Sequence, residues 1–84
     1  MRQVIVYTTD PCKRCGNAKA ILNRYGVEFE EVNLTKDPVG RAALVQRTGL
    51  MTFPQITVDG ESLGGLDDLR EADETGRLGE LLAA

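Results

Sequence analysis

Cys12-Lys13-Arg14-Cys15 holds both cysteines of the chain, and it sits where the apolar run Val4-Ile5-Val6-Tyr7 gives way to a helix-like stretch beginning near Ala18. Residues three apart at the start of a helix lie within one turn of each other, so a disulfide between the two sulfurs is sterically allowed. A helix N-terminus favours negative charge through its unpaired N–H groups and its macrodipole, and Lys13 and Arg14 add two formal positive charges beside the sulfurs. These fields favour a thiolate at Cys12, and Asp10 opposes them by like charge. A thiolate at that position can attack a disulfide, and Cys15, one turn inward, can resolve the mixed disulfide that results.

A bare C-x-x-C also fits a structural disulfide or half of a zinc site. Four-coordinate zinc usually takes Cys or His ligands, and this chain has two Cys and no His, so a metal site would need a second chain or an outside thiol; no metal is expected. A structural disulfide closing so short a loop would constrain the unfolded chain little. The redox reading leads on these grounds alone.

The 84 residues suit a single domain spanning 1–84, with 42% hydrophobic residues, 27% charged, 5% aromatic and no Trp, the profile of a globular chain with an aliphatic interior. A formal net charge of −3 argues against a nucleic-acid partner, since phosphate binding depends on clustered Lys and Arg. Met1-Arg2-Gln3 leads straight into the short apolar run, so neither a signal peptide nor a bilayer-spanning segment is expected. The expectation is a cytoplasmic protein with no membrane partner. In that compartment a C-x-x-C between a strand and a helix reads as catalytic.

Val4 to Thr8, continuous and β-branched, predicts a central strand buried on both faces. After Pro11, a helix is predicted from Cys12 or Lys13 to Tyr25, with Ala18, Ile21, Leu22 and Tyr25 on its buried side and Gly26 ending it. Val27, Phe29 and Val32 among Glu28, Glu30 and Glu31 predict a half-exposed second strand, parallel to the first through the helical crossover. Asp37-Pro38 reads as the N-cap and first residue of a second helix, a packing element carrying Ala42, Ala43, Leu44 and Val45 to Gly49. Gln55–Val58, Asp59-Gly60 and Glu61–Leu63 predict a hairpin with a type I′ turn, and a third helix begins near Asp67, whose carboxylate can cap it. Leu78, Leu81 and Leu82 form an apolar tail that docks on the body. The order β-α-β-α-β-β-α is that of an α/β fold with a four-stranded mixed sheet flanked by helices.

Three motifs in this order resemble the glutaredoxin family of the thioredoxin fold: C-x-x-C after the first strand, Thr52-Phe53-Pro54 before the third, and Gly64-Gly65-Leu66-Asp67-Asp68 after the hairpin. The resemblance covers essentially the whole chain. It implies a thioredoxin-like fold and a thiol–disulfide oxidoreductase that binds no resident cofactor and uses glutathione as reductant. Cys12 would attack and Cys15 resolve, and Pro54 would take the cis form beside them. It further implies that the Phe53 backbone meets the cysteine part of glutathione, that Asp67 and Asp68 receive the γ-glutamyl end, and that Arg41 faces the glycine carboxylate. Thr52 and Gly65 belong to the same binding segments. Two departures stand out: Lys13-Arg14 where dithiol glutaredoxins commonly carry Pro-Tyr, and Thr9 where they commonly carry Lys. Lys13 or Arg14 can supply the lost positive charge from another direction.

The partners implied are glutathione or another low-molecular-weight thiol and disulfide-containing proteins, with the chain acting as a monomer. Two alternatives stand beside this reading. One is a NrdH-redoxin-like electron donor to ribonucleotide reductase recharged by thioredoxin reductase; its variable inter-cysteine pair suits Lys13-Arg14, but its Trp-containing C-terminal signature is absent here. The other is a dimeric module holding an iron–sulfur cluster between two Cys12 residues and two glutathiones, for which Cys15 offers a competing internal disulfide.

Overall fold

The computed structural model describes residues 2–83. The continuous apolar run forms β1 (Val4–Thr8), followed by α1 (Lys13–Arg24), β2 (Glu30–Asn33), α2 (Pro38–Thr48), β3 (Gln55–Val58), β4 (Glu61–Gly64), α3 (Leu66–Thr75) and α4 (Arg77–Leu82). The sheet order is β2-β1-β3-β4, with β1 and β2 parallel and the β1–β3 and β3–β4 pairs antiparallel. This is the mixed α/β sheet that the element order predicts, in the thioredoxin-like fold that the resemblance implies.

Alternation along β1 divides its residues between two unequal faces. Val4 and Val6 join Ile56 of β3 in the main core, where Ala18, Ile21 and Leu22 of α1 meet Leu66, Leu69 and Ala72 of α3 and Leu78 of α4. Ile5 and Tyr7, on the opposite face, are only half-buried. The expectation of burial on both faces is therefore corrected to one sealed face and one half-buried face, and a second expectation narrows at α2. That helix buries Leu44 alone, with Val45 half-buried and Ala42 and Ala43 exposed, so its packing role is narrower than the sequence suggests.

Local signals set most boundaries. Asp37 caps α2 by accepting the Gly40 N–H at 2.8 Å, and Pro38 follows as a first-turn residue. Asp59 and Gly60 both take positive φ, 52° and 84°, as the tight hairpin turn requires. The Asp59 carboxylate is further fixed by the Gln3 N–H at 2.8 Å and by Arg2 at 2.9 Å.

Four expectations change. Tyr25 is not core: it is the C-cap residue of α1 and 36% exposed, and its hydroxyl donates to Asp73 Oδ1 at 2.6 Å, which holds the phenol above its usual 10.0. An amphipathic ring at a helix end gains more by joining α1 to α3 through its polar tip than by full burial. The apolar tail is a helix, α4, separated from α3 by Gly76 at φ 82°. Val27 and Phe29 precede β2 instead of belonging to it, and pack partly against the core. The N-cap of α3 is Gly65, and the carboxylate that reaches back to it is Asp68 rather than Asp67: Asp68 Oδ2 accepts the Gly65 N–H at 2.9 Å.

Two polar groups carry testable consequences. The Thr57 hydroxyl is buried without a hydrogen-bond partner among the described residues, a cost that substitution by an apolar isostere removes. We predict that Thr57→Val stabilises the protein by about 1 kcal/mol, read from the midpoint of urea denaturation. Glu31 accepts hydrogen bonds from Lys19 and from Thr8, each at 2.9 Å, and these hold its carboxyl below the usual 4.5. A depressed carboxyl stabilises the fold above its unfolded value and loses that contribution as pH falls through its folded value. Denaturation midpoints between pH 6 and pH 3 will therefore fall less steeply for Glu31→Gln than for the parent chain.

Candidate functional site

The site is built where β1 ends. The turn after β1 is pinned to the chain leaving β2: the Leu34 N–H donates to Thr8 O at 2.8 Å, the Asp10 N–H to Thr35 Oγ1 at 2.7 Å, and Asn33 Nδ2 to Asp10 Oδ2 at 3.0 Å. The Asp10 carboxylate is thus engaged by an amide next to the dithiol it was expected to oppose. Pro11 follows, in a cis bond to Asp10, and leads into Cys12.

Cys12 is the N-cap of α1, with extended backbone at φ −150° and ψ 97°. Its Sγ accepts the Cys15 N–H at 3.1 Å, the same cap-to-third-residue bond that a Ser or Thr oxygen makes at a helix start. The two cysteines form a disulfide, with their Cα atoms 5.3 Å apart. They differ in access. Cys12 is half-buried and faces a cleft, whereas Cys15 is 3% exposed on the buried side of α1.

Across the cleft stands the segment before β3. Phe53 O lies 3.9 Å from Cys12 Sγ, the Phe53–Pro54 bond is cis, and Pro54 is buried. The cleft has a volume of about 570 Å³ and is lined by Cys12, Lys13, Arg14, Thr52 and Phe53, all anticipated as site residues. Thr9, Pro11 and Met51 complete it. Met51, 81% exposed, escaped the sequence reading; the available signal was a large apolar residue lying outside any periodic element and directly before Thr52-Phe53-Pro54.

The double-glycine segment closes the other side of Pro54. A Cβ built on Gly65 would stand 3.4 Å from Pro54 O, so the two segments run in contact. Gly64 has φ 114°, and a side chain there would overlap the Asp68 carboxylate, so the position requires glycine. Asp67 is exposed in the first turn of α3, with Oδ1 3.3 Å from Arg14 Nη2 and 4.0 Å from Arg70 Nη1. Arg41 is placed differently. Its Nη1 donates to the carbonyls of Leu34 and Thr35, at 2.6 and 2.7 Å, and it does not line the cleft.

An accessible sulfur that accepts a backbone N–H, with a second sulfur bonded behind it, is an arrangement for exchanging disulfides. The comparisons with known proteins agree. The Glutaredoxin family model matches residues 4–63. Glutaredoxin 3 of Escherichia coli strain K12 is 39% identical over 82 residues, covering 98% of this chain and 99% of its own. A glutaredoxin of Pseudomonas aeruginosa is 40% identical over 84 residues, covering both chains completely. Among solved structures, a buckwheat glutaredoxin–glutathione complex superimposes with a TM-score of 0.88 at 27% identity, covering 96% of this chain and 76% of the other. Glutaredoxin from Brucella melitensis gives 0.85 at 42% identity, covering 95% and 87%. Sequence, superposition and the chemistry of the Cys12–Cys15 pair converge, and the chain belongs to the glutaredoxin family of thiol–disulfide oxidoreductases.

Proposed function

We propose that the chain reduces protein disulfides and glutathione mixed disulfides with electrons from glutathione, acting as a monomer in the cytoplasm. The observation that carries this reading is the unequal access of two bonded sulfurs, one facing the cleft and one nearly sealed. In the reduced form the Cys15 N–H and the start of α1 favour the anionic form of Cys12 over the thiol. That thiolate attacks one sulfur of a substrate disulfide, forms a mixed disulfide and releases the other sulfur as a thiolate. Cys15 then gives up its proton and attacks Cys12 Sγ; the Cys12–Cys15 bond forms, the second substrate thiol leaves, and two electrons have passed to the substrate. One glutathione thiolate opens the internal disulfide at Cys12. A second removes the first as glutathione disulfide, restoring the dithiol.

The cleft supports glutathione as that thiol. The Phe53 backbone beside Cys12 suits the cysteinyl part, as the resemblance implies, and Thr52 lies in the same wall. The N–H groups of the first turn of α3 suit the γ-glutamyl carboxylate, with the Asp67 side chain for the ammonium. Asp68 contributes by bonding Gly65 and holding that turn in place. Lys13 lines the cleft and has no ion pair among the described residues, which favours it over Arg41 for the glycine carboxylate. The buckwheat protein, a family relative of closely similar fold, is a glutathione complex.

Two experiments test the proposal. Cys15→Ser will keep glutathione-dependent reduction of a glutathione mixed disulfide and lose reduction of protein disulfides that need both sulfurs, whereas Cys12→Ser will lose both. Retention of mixed-disulfide turnover by Cys12→Ser would reverse the assigned roles. In coupled assays following NADPH, glutathione with glutathione reductase will sustain turnover of the parent protein and thioredoxin reductase will not. Turnover with thioredoxin reductase alone would transfer the chain to the ribonucleotide reductase donors.

A further inference from the structure

Asp67 is shared by two cations. Its side chain is 80% exposed at the first turn of α3, and one oxygen, Oδ1, faces both Arg14 Nη2 at 3.3 Å and Arg70 Nη1 at 4.0 Å. Arg70 is a neighbour on the same helix, three residues on, and holds the carboxylate from its own side. Arg14 comes from between the two cysteines. Its guanidinium therefore links the start of α1 to the start of α3, the two segments that a bound glutathione must touch at once.

This geometry bears on recognition. If the γ-glutamyl ammonium of glutathione is to pair with Asp67, it must approach a carboxylate oxygen already facing the Arg14 guanidinium. We propose that Arg14 is a specificity-determining residue that competes with the glutathione ammonium for Asp67, weakening glutathione binding relative to a chain with an uncharged residue at that position. The inference rests on the glutathione reading above and deepens it. Lys13, the adjacent cation, lines the cleft without an ion pair among the described residues. Positive charge beside Cys12 therefore does not depend on Arg14 alone, and the contact with Asp67 is the distinguishing feature of this arginine. Both partners of the pair are exposed, 53% and 80%, so the competition is worth a small factor, about two- to fivefold in affinity, rather than orders of magnitude.

The test uses S-methylglutathione, whose capped sulfur cannot exchange, titrated by NMR into the disulfide form of the parent protein, Arg14→Gln, Asp67→Asn and the double variant. Arg14→Gln is expected to bind about two- to fivefold more tightly than the parent. The gain should vanish in the Asp67→Asn background, because the carboxylate under competition is gone. It should vanish also with N-acetyl-S-methylglutathione, which lacks the ammonium. Equal or weaker binding by Arg14→Gln, or a gain that survives either control, would overturn the competition while leaving glutathione as the ligand. Saturable binding by none of the four proteins would instead overturn the glutathione reading, and the competition with it.

Discussion

A single N–H···S contact, from Cys15 to Cys12 across the first turn of α1, is the interaction that the architecture exists to place. A helix start offers several N–H groups without intrahelical partners, and an oxygen-bearing side chain normally takes one of them. Here a sulfur does. The position holds only because α1 is fixed against the sheet by Ala18, Ile21 and Leu22, each at most 7% exposed. The strand feeding it, β1, lies between two others and cannot shift without breaking both ladders. The rigidity of the reactive sulfur is thus inherited from the centre of the sheet, and the charges around it need only tune it.

The opposite wall of the cleft is held by a residue that takes no part in redox chemistry. Gln55, fully buried at the start of β3, accepts from Thr48 Oγ1 at 2.8 Å and donates to Leu50 O at 2.8 Å. One amide therefore ties the end of α2 and the following loop to the strand, and that loop carries Met51, Thr52 and Phe53 into the cleft. A buried amide is costly unless both ends are paired, and here both are. The thin apolar cover that α2 provides is supplemented by this polar clamp. That explains how a helix with one buried side chain can still anchor the loop that lines the cleft.

What could be read in advance follows from the range over which each signal acts. Asp37-Pro38, Asp59-Gly60 and the strand-then-helix change of period around Cys12 are local, so their elements stand where predicted. The Cys12–Cys15 pairing was equally legible, because helix geometry alone brings the two together. Gln55 was not, since nothing in Gln55-Ile56-Thr57-Val58 says that the polar side chains face α2 or that Thr48 and Leu50 await the first of them. Tyr25 misled for a related reason. Helical spacing identifies the side of α1 it shares with Ile21, but whether a neighbour covers the last turn depends on the placement of α3 and α4. The Asp67/Asp68 assignment shows the same limit at finer scale: either carboxylate can cap a helix beginning nearby, and the choice falls on the one whose start residue, Gly65, is set by contact with Pro54.

The spacing of two residues between the cysteines has a structural reason that goes beyond proximity. With Cys12 as N-cap, Cys15 is the third residue of the helix proper, and it is the N–H of that residue that points back at the cap. Side chains on a helix also lean towards its N-terminus, so the Cys15 sulfur is carried the same way. One residue thus offers Cys12 two contacts, a backbone N–H and a bonded sulfur, which the proposed mechanism uses to favour the anion and to displace what it captures. A spacing shorter by one would direct the second sulfur around the helix, and one longer by one would separate the N–H donor from the resolving side chain. Burial then gives the pair the direction of the proposed mechanism: Cys15, at 3% exposure, is shielded from an external disulfide, and Cys12 is the sulfur that faces the cleft.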